Sequence, residues 1–267
     1  MREAAVRTSK PTGPAVGPML REWRARRRLS QMDLALDAGV STRHLSFVET
    51  GRAQPSREMV LTLAEQLEVP LRARNVLLLS AGYAPAFPER SLDDPALAGA
   101  RRAIDLVLAG HEPWPALVFD RHWNVIAANA AVAPMLAGVA PELAAGPVNT
   151  LRLALHPKGL APRIANLAQW RGHLLHNLRA QIEATADPVL AALEDEVSAY
   201  PVDDPGEAYA DDLGGVAVPL RLRTSGGLLS FISTTTVFGT PRDVTLAELA
   251  LETFLPADAA TAAAFAR

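Results

Sequence analysis

Residues 29 to 52 have the sequence Leu29-Ser-Gln-Met-Asp-Leu-Ala-Leu-Asp-Ala-Gly-Val-Ser-Thr-Arg-His-Leu-Ser-Phe-Val-Glu-Thr-Gly-Arg52. Ser30 is placed to cap a first helix, and Asp33, three residues later, completes a capping box. Gly39 is placed to end this helix, because glycine tolerates the positive φ of a helix C-terminus. Ser41 is placed to cap a second helix, which ends at the next glycine. Two helices joined by a short turn with a central glycine are typical of a helix-turn-helix unit.

The second of these helices combines an apolar side with a polar side. Leu45 and Val48 form the apolar side, and the residues expected to be exposed are Thr42, Arg43, Ser46 and Phe47. Short polar side chains and one arginine near a helix N-terminus suit the edges of bases in a major groove, which is wide enough to admit a helix. A solvated polar surface without a partner is the alternative.

Further helices are predicted on both sides of this pair. A helix over about residues 17–28 places Leu20 and Trp23 toward a core, and its outward residues, available to a DNA backbone, are Arg21, Arg27 and Arg28. Ser56 is placed to cap a helix whose apolar positions are Met59, Val60, Leu63, Ala64 and Leu67. Pro70 opens a last helix over residues 71–80. These helices predict a small bundle around the helix-turn-helix pair.

The pattern of these positions resembles the Xre/Cro family of bacterial helix-turn-helix repressors. The resemblance rests on Arg24, Leu29-Ser-Gln, Leu34-Ala, Ala38-Gly-Val-Ser, Leu45, Glu49-Thr-Gly, Pro55-Ser, Leu63-Ala and Leu67. It implies a five-helix domain with recognition helix Ser41–Val48, an Arg24–Glu49 ion pair and a phosphate contact by Gln31. The residues predicted to contact double-stranded DNA are Gln31, Ser41, Thr42, Arg43, His44, Ser46, Phe47 and Arg52.

Composition limits the possible classes of protein. A chain of 267 residues, 49% hydrophobic and 21% charged, has room for two ordinary globular domains. The absence of cysteine excludes disulfides, thiolate catalysis, cysteine metal sites and flavin–thiol photochemistry. No apolar run approaches the ~20 residues that span a membrane, and residues 1–16 lack the apolar core of a signal peptide. We therefore expect a soluble, cytoplasmic protein without a membrane partner.

Charge is distributed unevenly along the chain. Residues 1–60 carry 11 basic and 6 acidic side chains, a net charge of +5, whereas the remaining residues carry 15 basic and 23 acidic ones, a net charge of −8. A basic N-terminal block attracts phosphates. The same block could equally be a solvated surface.

The chain divides into three parts by composition. Residues 1–16 show no periodicity and are predicted to be a disordered arm, which could also be a misassigned start. Residues 17–88 form the helix-turn-helix domain, since Gly82-Tyr-Ala-Pro-Ala-Phe-Pro88 interrupts regular structure. Residues 89–267 form a second domain, which begins with a helix from about Asp94.

The second domain predicts a mixture of strands and helices. Two strands, Ala116–Phe119 and Asn124–Ala128, are joined by a turn at residues 120–123 and followed by a helix over residues 130–136 that Asn129 caps. Residues 147–200 are helical by pattern. Three more strands follow, at Gly214–Arg223, Leu228–Phe238 and Thr245–Leu255, the first two joined by a hairpin turn. The prediction is an α+β domain with a five-stranded antiparallel sheet and helices on one side.

The strand order is PAS-like, and two motifs resemble the ligand-binding domain of MmyB-like transcription regulators. These motifs are Phe119-Asp-Arg-His-Trp-Asn-Val with Ala128-Asn-Ala, and Phe238-Gly-Thr-Pro-Arg-Asp-Val-Thr-Leu-Ala-Glu-Leu with Glu252-Thr-Phe-Leu-Pro-Ala-Asp. The resemblance covers about residues 17–267. It implies a DNA-binding regulator, expected to be a homodimer, whose PAS-like domain holds a fatty acid or a similar apolar molecule and no other cofactor.

Candidate residues for a ligand pocket are the aromatic and leucine residues Phe119, Trp123, Trp170, Leu174 and Phe231. The same residues could be plain core, and the second domain could serve only for dimerisation. His173 and His176 share one helix face but lack a carboxylate partner, so pocket lining is favoured over a metal site. The turn Phe238–Asp243 could bind an anion through Arg242, but a structural turn tied by Arg242 and Asp243 is favoured. The sequence lacks a nucleophile elbow and a phosphate loop, so we predict no enzymatic activity.

Overall fold

The computed structural model describes residues 15–202, 217–238 and 241–265. The chain divides into two compact units, residues 1–88 (unit 1) and 89–267 (unit 2). The arm predicted for residues 1–16 lies outside the described residues except for its last two positions, of which Val16 already begins a helix. No helix in the described ranges is both long and apolar enough to cross a membrane.

Unit 1 is a helical bundle, as the sequence predicts. Its described part contains five helices: α1 (Val16–Arg26), α2 (Gln31–Asp37), α3 (Thr42–Glu49), α4 (Arg57–Gln66) and α5 (Leu71–Ser80). The apolar side chains of all five helices are buried together, among them Leu20, Trp23, Leu34, Leu45, Leu63 and Leu77. The five-helix fold is therefore confirmed.

The ends of the helices in unit 1 follow the predicted caps. Ser30 and Asp33 form the complete capping box of α2, with Ser30 Oγ accepting from Asp33 N at 3.1 Å. Ser41 Oγ accepts from His44 N at the start of α3. Gly39 adopts a φ of +65°, which closes α2 and lets the chain turn toward α3.

Unit 2 contains a five-stranded antiparallel sheet in the described residues. The strands are β1 (Ala116–Phe119), β2 (Val125–Ala128), β3 (Leu220–Thr224), β4 (Gly227–Val237) and β5 (Ala250–Pro256), in the order β2-β1-β5-β4-β3. The helices are α6 (Ala98–Gly110), α7 (Pro141–Ala144), α8 (Thr150–Leu155), α9 (Leu167–Thr185), α10 (Pro188–Ser198), α11 (Val244–Ala247) and α12 (Ala259–Phe265). Short 3₁₀ turns lie at Pro95–Leu97, Ala130–Leu136 and Ala161–Arg163. The predicted α+β fold is confirmed.

The two faces of the sheet carry separate apolar clusters. Leu117 and Phe119 of β1 belong to the large cluster with α8, α9 and α10, whereas Ala116 and Val118 pack with Ile104 of α6. Because neighbouring residues of a strand point to opposite faces, helices cover both sides of the sheet. The prediction that helices lie on one side only is therefore wrong.

Two predicted elements of unit 2 differ from the structure. The strand predicted from Thr245 begins only at Ala250, because Asp243 Oδ1 accepts from Thr245 N and caps the short helix α11. The strand predicted from Gly214 begins at Leu220, and its first three positions lie outside the described residues. Part of the predicted turn after Phe238 is also outside them.

The role predicted for Asn129 is wrong. Its side chain makes no cap to the following 3₁₀ turn. Instead, the buried amide accepts from Ala116 N at 3.1 Å and donates to the carbonyl oxygens of Trp114 and Leu108 at 2.7 and 3.2 Å. Asn129 therefore joins the end of β2 to the start of β1 and to α6.

Candidate functional site

The recognition-helix surface consists of the exposed and half-buried residues at α3, namely Ser41, Thr42, Arg43, His44, Ser46, Phe47 and Arg52. Thr42 and Arg43 are exposed, whereas Ser46 and Phe47 are half-buried, which corrects the expectation that all four are exposed. The guanidinium carbons of Arg43 and Arg52 lie 5.4 and 6.0 Å from the centre of the Phe47 ring. Cations at such distances are attracted by an aromatic ring. Phe47 therefore holds two arginines beside each other on this surface, a function that the sequence did not suggest.

The other residues predicted to contact DNA lie on or beside the same surface. Ser41 is exposed at the N-cap of α3, and His44 is half-buried one turn into the helix. The first turn of α3 therefore presents the N-cap hydroxyl of Ser41 and the side chains of Thr42 and Arg43 together. That set can donate and accept hydrogen bonds at base edges and phosphates.

A buried ionic network fixes α3 from behind. Arg24 of α1 binds Glu49 of α3 in a bidentate pair, with Nε–Oε1 at 2.7 Å and Nη2–Oε2 at 2.9 Å. Gln31 Nε2 also donates to Glu49 Oε2, at 2.7 Å. Burial raises the pKa of Glu49, but the hydrogen bonds from Arg24 and Gln31 outweigh it, and the net pKa is lowered. Glu49 is therefore held ionised in the core of unit 1.

This network bears on the predicted role of Gln31. Its side-chain amide nitrogen is already bound to Glu49, at the point where α2 meets α3. A phosphate contact by Gln31 stays a prediction, and it would use the second hydrogen of that nitrogen or the backbone N–H at the helix start.

Arg27, directly after α1, does not point outward as predicted. Arg27 Nε donates to the Leu67 carbonyl at 2.9 Å and Nη2 to the Glu68 carbonyl at 3.1 Å. Its guanidinium also lies 5.6 Å from the Trp23 ring. Arg27 therefore ties α1 to the end of α4, whereas Arg21 and Arg28 are exposed as expected.

An apolar cavity lies in the larger apolar cluster of unit 2, on the face of the sheet that packs against α8, α9 and α10. Its volume is about 70 Å³. It is lined by Leu117, Trp123, Val132, Met135, Leu136, Thr150, Leu151, Leu153, Ala154, Leu160, Ile164, Trp170, Leu174, Leu220, Glu252 and Phe254. The cavity is thus narrow and almost entirely apolar.

The five predicted pocket residues occupy two positions relative to this cavity. Trp123, Trp170 and Leu174 line it. Phe119 stands behind Trp123, with the two rings stacked 4.9 Å apart. Phe231 packs against Phe254, a lining residue, with ring centres 6.2 Å apart. All five belong to one core cluster, and three of them face the space itself.

Trp123 is held in place by polar contacts at the edge of the cavity. It occupies the turn between β1 and β2 with a positive φ of 67°, and its indole Nε1 donates to Gln181 Oε1 of α9 at 2.8 Å. Its carbonyl accepts from Thr150 N at the start of α8. The turn, α8 and α9 therefore meet at this one residue.

Sequence reasoning did not identify Glu252, which also lines the cavity. The signal was present in β5, where Glu252 and Phe254 are two residues apart and so share one face of the strand. The strand pattern was not assigned to faces, so a charged residue on the core side was not noticed.

Two other candidate groups have structural partners. His173 Nε2 lies 3.2 Å from Asn177 Nδ2, and burial followed by the charge of His176 lowers the pKa of His173. The described residues contain no cluster of three or more metal-ligating side chains.

Asp243 is buried and binds Arg90 at 3.1 Å, while Arg242 is exposed. The turn is thus tied by Asp243 and Arg90, not by Arg242.

Comparisons with known proteins match both units. A family model described as the MmyB-like transcription regulator ligand binding domain matches residues 100–267, and a helix-turn-helix family model matches residues 20–73. The crystal structure of the clp gene regulator ClgR from Corynebacterium glutamicum is 26% identical, covers 37% of this chain and 90% of its own, and has a TM-score of 0.23. The structure of an RNA-binding light-oxygen-voltage receptor is 14% identical, covers 89% of this chain and 58% of its own, and has a TM-score of 0.25. No curated protein matches the chain.

Proposed function

The chain belongs to the family of MmyB-like transcription regulators, and from this we propose that it binds a palindromic operator as a homodimer under the control of a small apolar ligand. DNA-binding transcription regulation itself follows from the two family matches. The dimer, the palindrome, the ligand and a place of action in the cytoplasm, where an operator is accessible, are the proposal. The proposal includes no catalysis.

The observation that carries the ligand part is the cavity in unit 2. Ligand pockets usually occupy about 300–1,000 Å³ and are mostly apolar with a few polar groups. The lining of fourteen apolar side chains with Thr150 and Glu252 fits that composition, whereas the volume of about 70 Å³ is smaller, so a ligand must widen the cavity as it enters. Its narrow interior favours a slender molecule, such as one with an alkyl chain, over a bulky ring system.

Dimerisation is supported by apolar side chains on the surface. Leu106 and Val107 of α6 are 73% and 48% exposed. Contiguous exposed apolar surface marks protein contacts, whereas single scattered apolar residues do not. A second copy of unit 2 is the partner that a symmetric reader of a palindrome requires. A regulator whose second unit serves only for dimerisation remains the competing proposal, and it predicts an operator affinity that no small molecule changes.

The recognition-helix surface is tested by changing Arg43. Operator duplexes are first selected from a random pool with the full chain, and we expect two half-sites about 10 base pairs apart, one turn of DNA. Arg43→Ala should weaken operator binding by roughly 1–3 kcal/mol, the cost of a lost bidentate base contact. Fluorescence anisotropy of labelled duplex measures the change.

The matched control is Arg179→Ala, which removes the same charge from an exposed position of α9 in unit 2. It should leave operator affinity close to that of the wild type. An affinity of Arg43→Ala within error of the wild type would show that the assignment of the recognition helix is wrong.

A further inference from the structure

The cavity of unit 2 contains a carboxyl group in a fixed position. Glu252 lies in β5, the central strand of the sheet, in register with Leu117 of β1 on one side and Thr235 of β4 on the other. It is only 9% exposed and shares its face of the strand with Phe254, another lining residue. Since β5 is paired on both sides, the carboxyl group cannot leave this face without breaking the sheet.

The described residues that line the cavity offer this carboxyl group no opposite charge. Among the described residues that line the cavity, Glu252 is the one ionisable side chain. Burial raises its pKa to about 7, although a hydrogen bond from the Ser233 side chain acts in the opposite direction. The ionised form is therefore present in neutral solution. The hydrogen bond from Ser233 stabilises it, but the described lining supplies no positive charge to balance it. A buried charge in that condition costs free energy until a partner is bound.

Aromatic rings line the same cavity as Glu252. Trp123 and Trp170 both line it, and the indole nitrogen of Trp123 is already occupied by Gln181. The faces of indole rings attract cations within about 6 Å. A carboxylate together with two indole rings in an apolar space is chemistry suited to a cation that carries a hydrophobic body.

We propose that the ligand is an amphiphile with a slender apolar body and a protonated amine head group, which pairs with the carboxylate of Glu252. This inference rests on the proposed function, because it requires that the cavity holds a ligand. The amine supplies the countercharge that the described lining lacks, while the alkyl part fills the apolar lining. A fatty-acid carboxylate, expected from the family resemblance, would instead place two like charges together or require a shared proton.

The test uses three probes with the same chain and different head groups: 1-octylamine, 1-octanol and octanoate. Binding to the full-length protein, first freed of any bound small molecule by unfolding and refolding, is measured by calorimetry at pH 8, where Glu252 is mostly ionised and an alkylamine is still protonated. We expect octylamine to bind at least about tenfold more tightly than the other two probes, a difference of about 1.4 kcal/mol.

Variants separate the charge of Glu252 from the rest of the cavity. Glu252→Gln keeps the size and removes the charge, so it should weaken octylamine binding about tenfold or more and leave octanol binding within about twofold. Asp105→Asn removes one negative charge from an exposed position of α6 and should change neither. The comparison of probes on the wild type remains decisive if Glu252→Gln folds poorly.

The outcomes distinguish this inference from the proposed function. Octanol or octanoate binding as tightly as octylamine, or octylamine binding unchanged by Glu252→Gln, overturns the inference and leaves a ligand-binding unit in place. Binding of none of the three probes to the wild type overturns the proposed ligand function, and the inference with it.

Discussion

At the scale of single residues, the position of the recognition helix depends on one half-buried guanidinium. Arg24 donates to both oxygens of Glu49 and, through Nη1, to the Leu29 carbonyl at 2.9 Å. The side chain of Glu49 is 1% exposed. Loss of Arg24 would leave that carboxylate buried with a hydrogen bond from Gln31 and the more distant charge of Arg21. A poorly compensated buried charge destabilises a fold more than the loss of the pair itself.

We therefore expect Arg24→Ala to destabilise unit 1 by about 3 kcal/mol. Arg26→Ala is the matched control on the same helix, because it breaks only the exposed pair with Glu22, which contributes roughly 0.3–0.5 kcal/mol. Hydrogen exchange of peptides from residues 16–80 of the full chain measures both. Equal losses of protection in the two variants would contradict the account.

Individual residues were predictable where a local rule or a family pattern applied. The Arg24–Glu49 pair followed from the resemblance, and Ser30 and Asp33 followed from the capping box. Glu252 was not found, because its importance depends on which face of β5 meets a cavity formed by α8 and α9, segments about 70 to 100 residues earlier in the chain. Such contacts have no local signal.

At the scale of elements, α1 and α3 approach each other more closely than ordinary side chains permit. A Cβ atom added to Gly17 would lie 2.3 Å from the Val48 carbonyl oxygen and 2.8 Å from that of Glu49. Both are backbone atoms of α3, which cannot turn aside as a flexible side chain would. The glycine thus sets the spacing of the two helices and, with it, the position of the recognition-helix surface.

Gly17→Ala should therefore destabilise unit 1 by roughly 1–3 kcal/mol, the usual cost of an overpacked core. In contrast, Gly172→Ala in α9 meets no atom within 4 Å, and it should stabilise unit 2 by about 0.5–1 kcal/mol through helix propensity. Hydrogen exchange, measured separately on peptides from unit 1 and from unit 2, gives both changes in stability. Equal protection in wild type and Gly17→Ala would show that α1 can move without cost.

The helices of unit 1 were the most predictable elements, because serine caps, glycine ends and 3.6-residue periodicity all occur within one short stretch. The beginning of β5 was less predictable. Thr245 is a strand former, but the buried Asp243 captures its N–H and bends the segment into α11. The coverage of both sheet faces was also missed, since the burial of α6 depends on a sheet that forms later in the chain.

At the scale of the whole molecule, two units with different tasks share one chain. Unit 1 carries an excess of basic residues and the recognition-helix surface, and unit 2 carries the acidic excess and the cavity. Regulation by a ligand requires that the ligand bind two states of the dimer with different affinities. Occupancy of the cavity is therefore the claim on which the rest of the proposal depends.

Native mass spectrometry of the purified full-length protein, beside a variant with a filled cavity, tests that claim most directly. Ala154→Leu adds volume at a lining position, and Ala180→Leu adds the same volume on the exposed side of α9 as a control. The account predicts a dimer of the wild type and of Ala180→Leu that carries extra mass of a few hundred daltons, lost on denaturation, and a bare dimer of Ala154→Leu. A wild-type protein that carries no extra mass beyond its polypeptide chains would contradict the account.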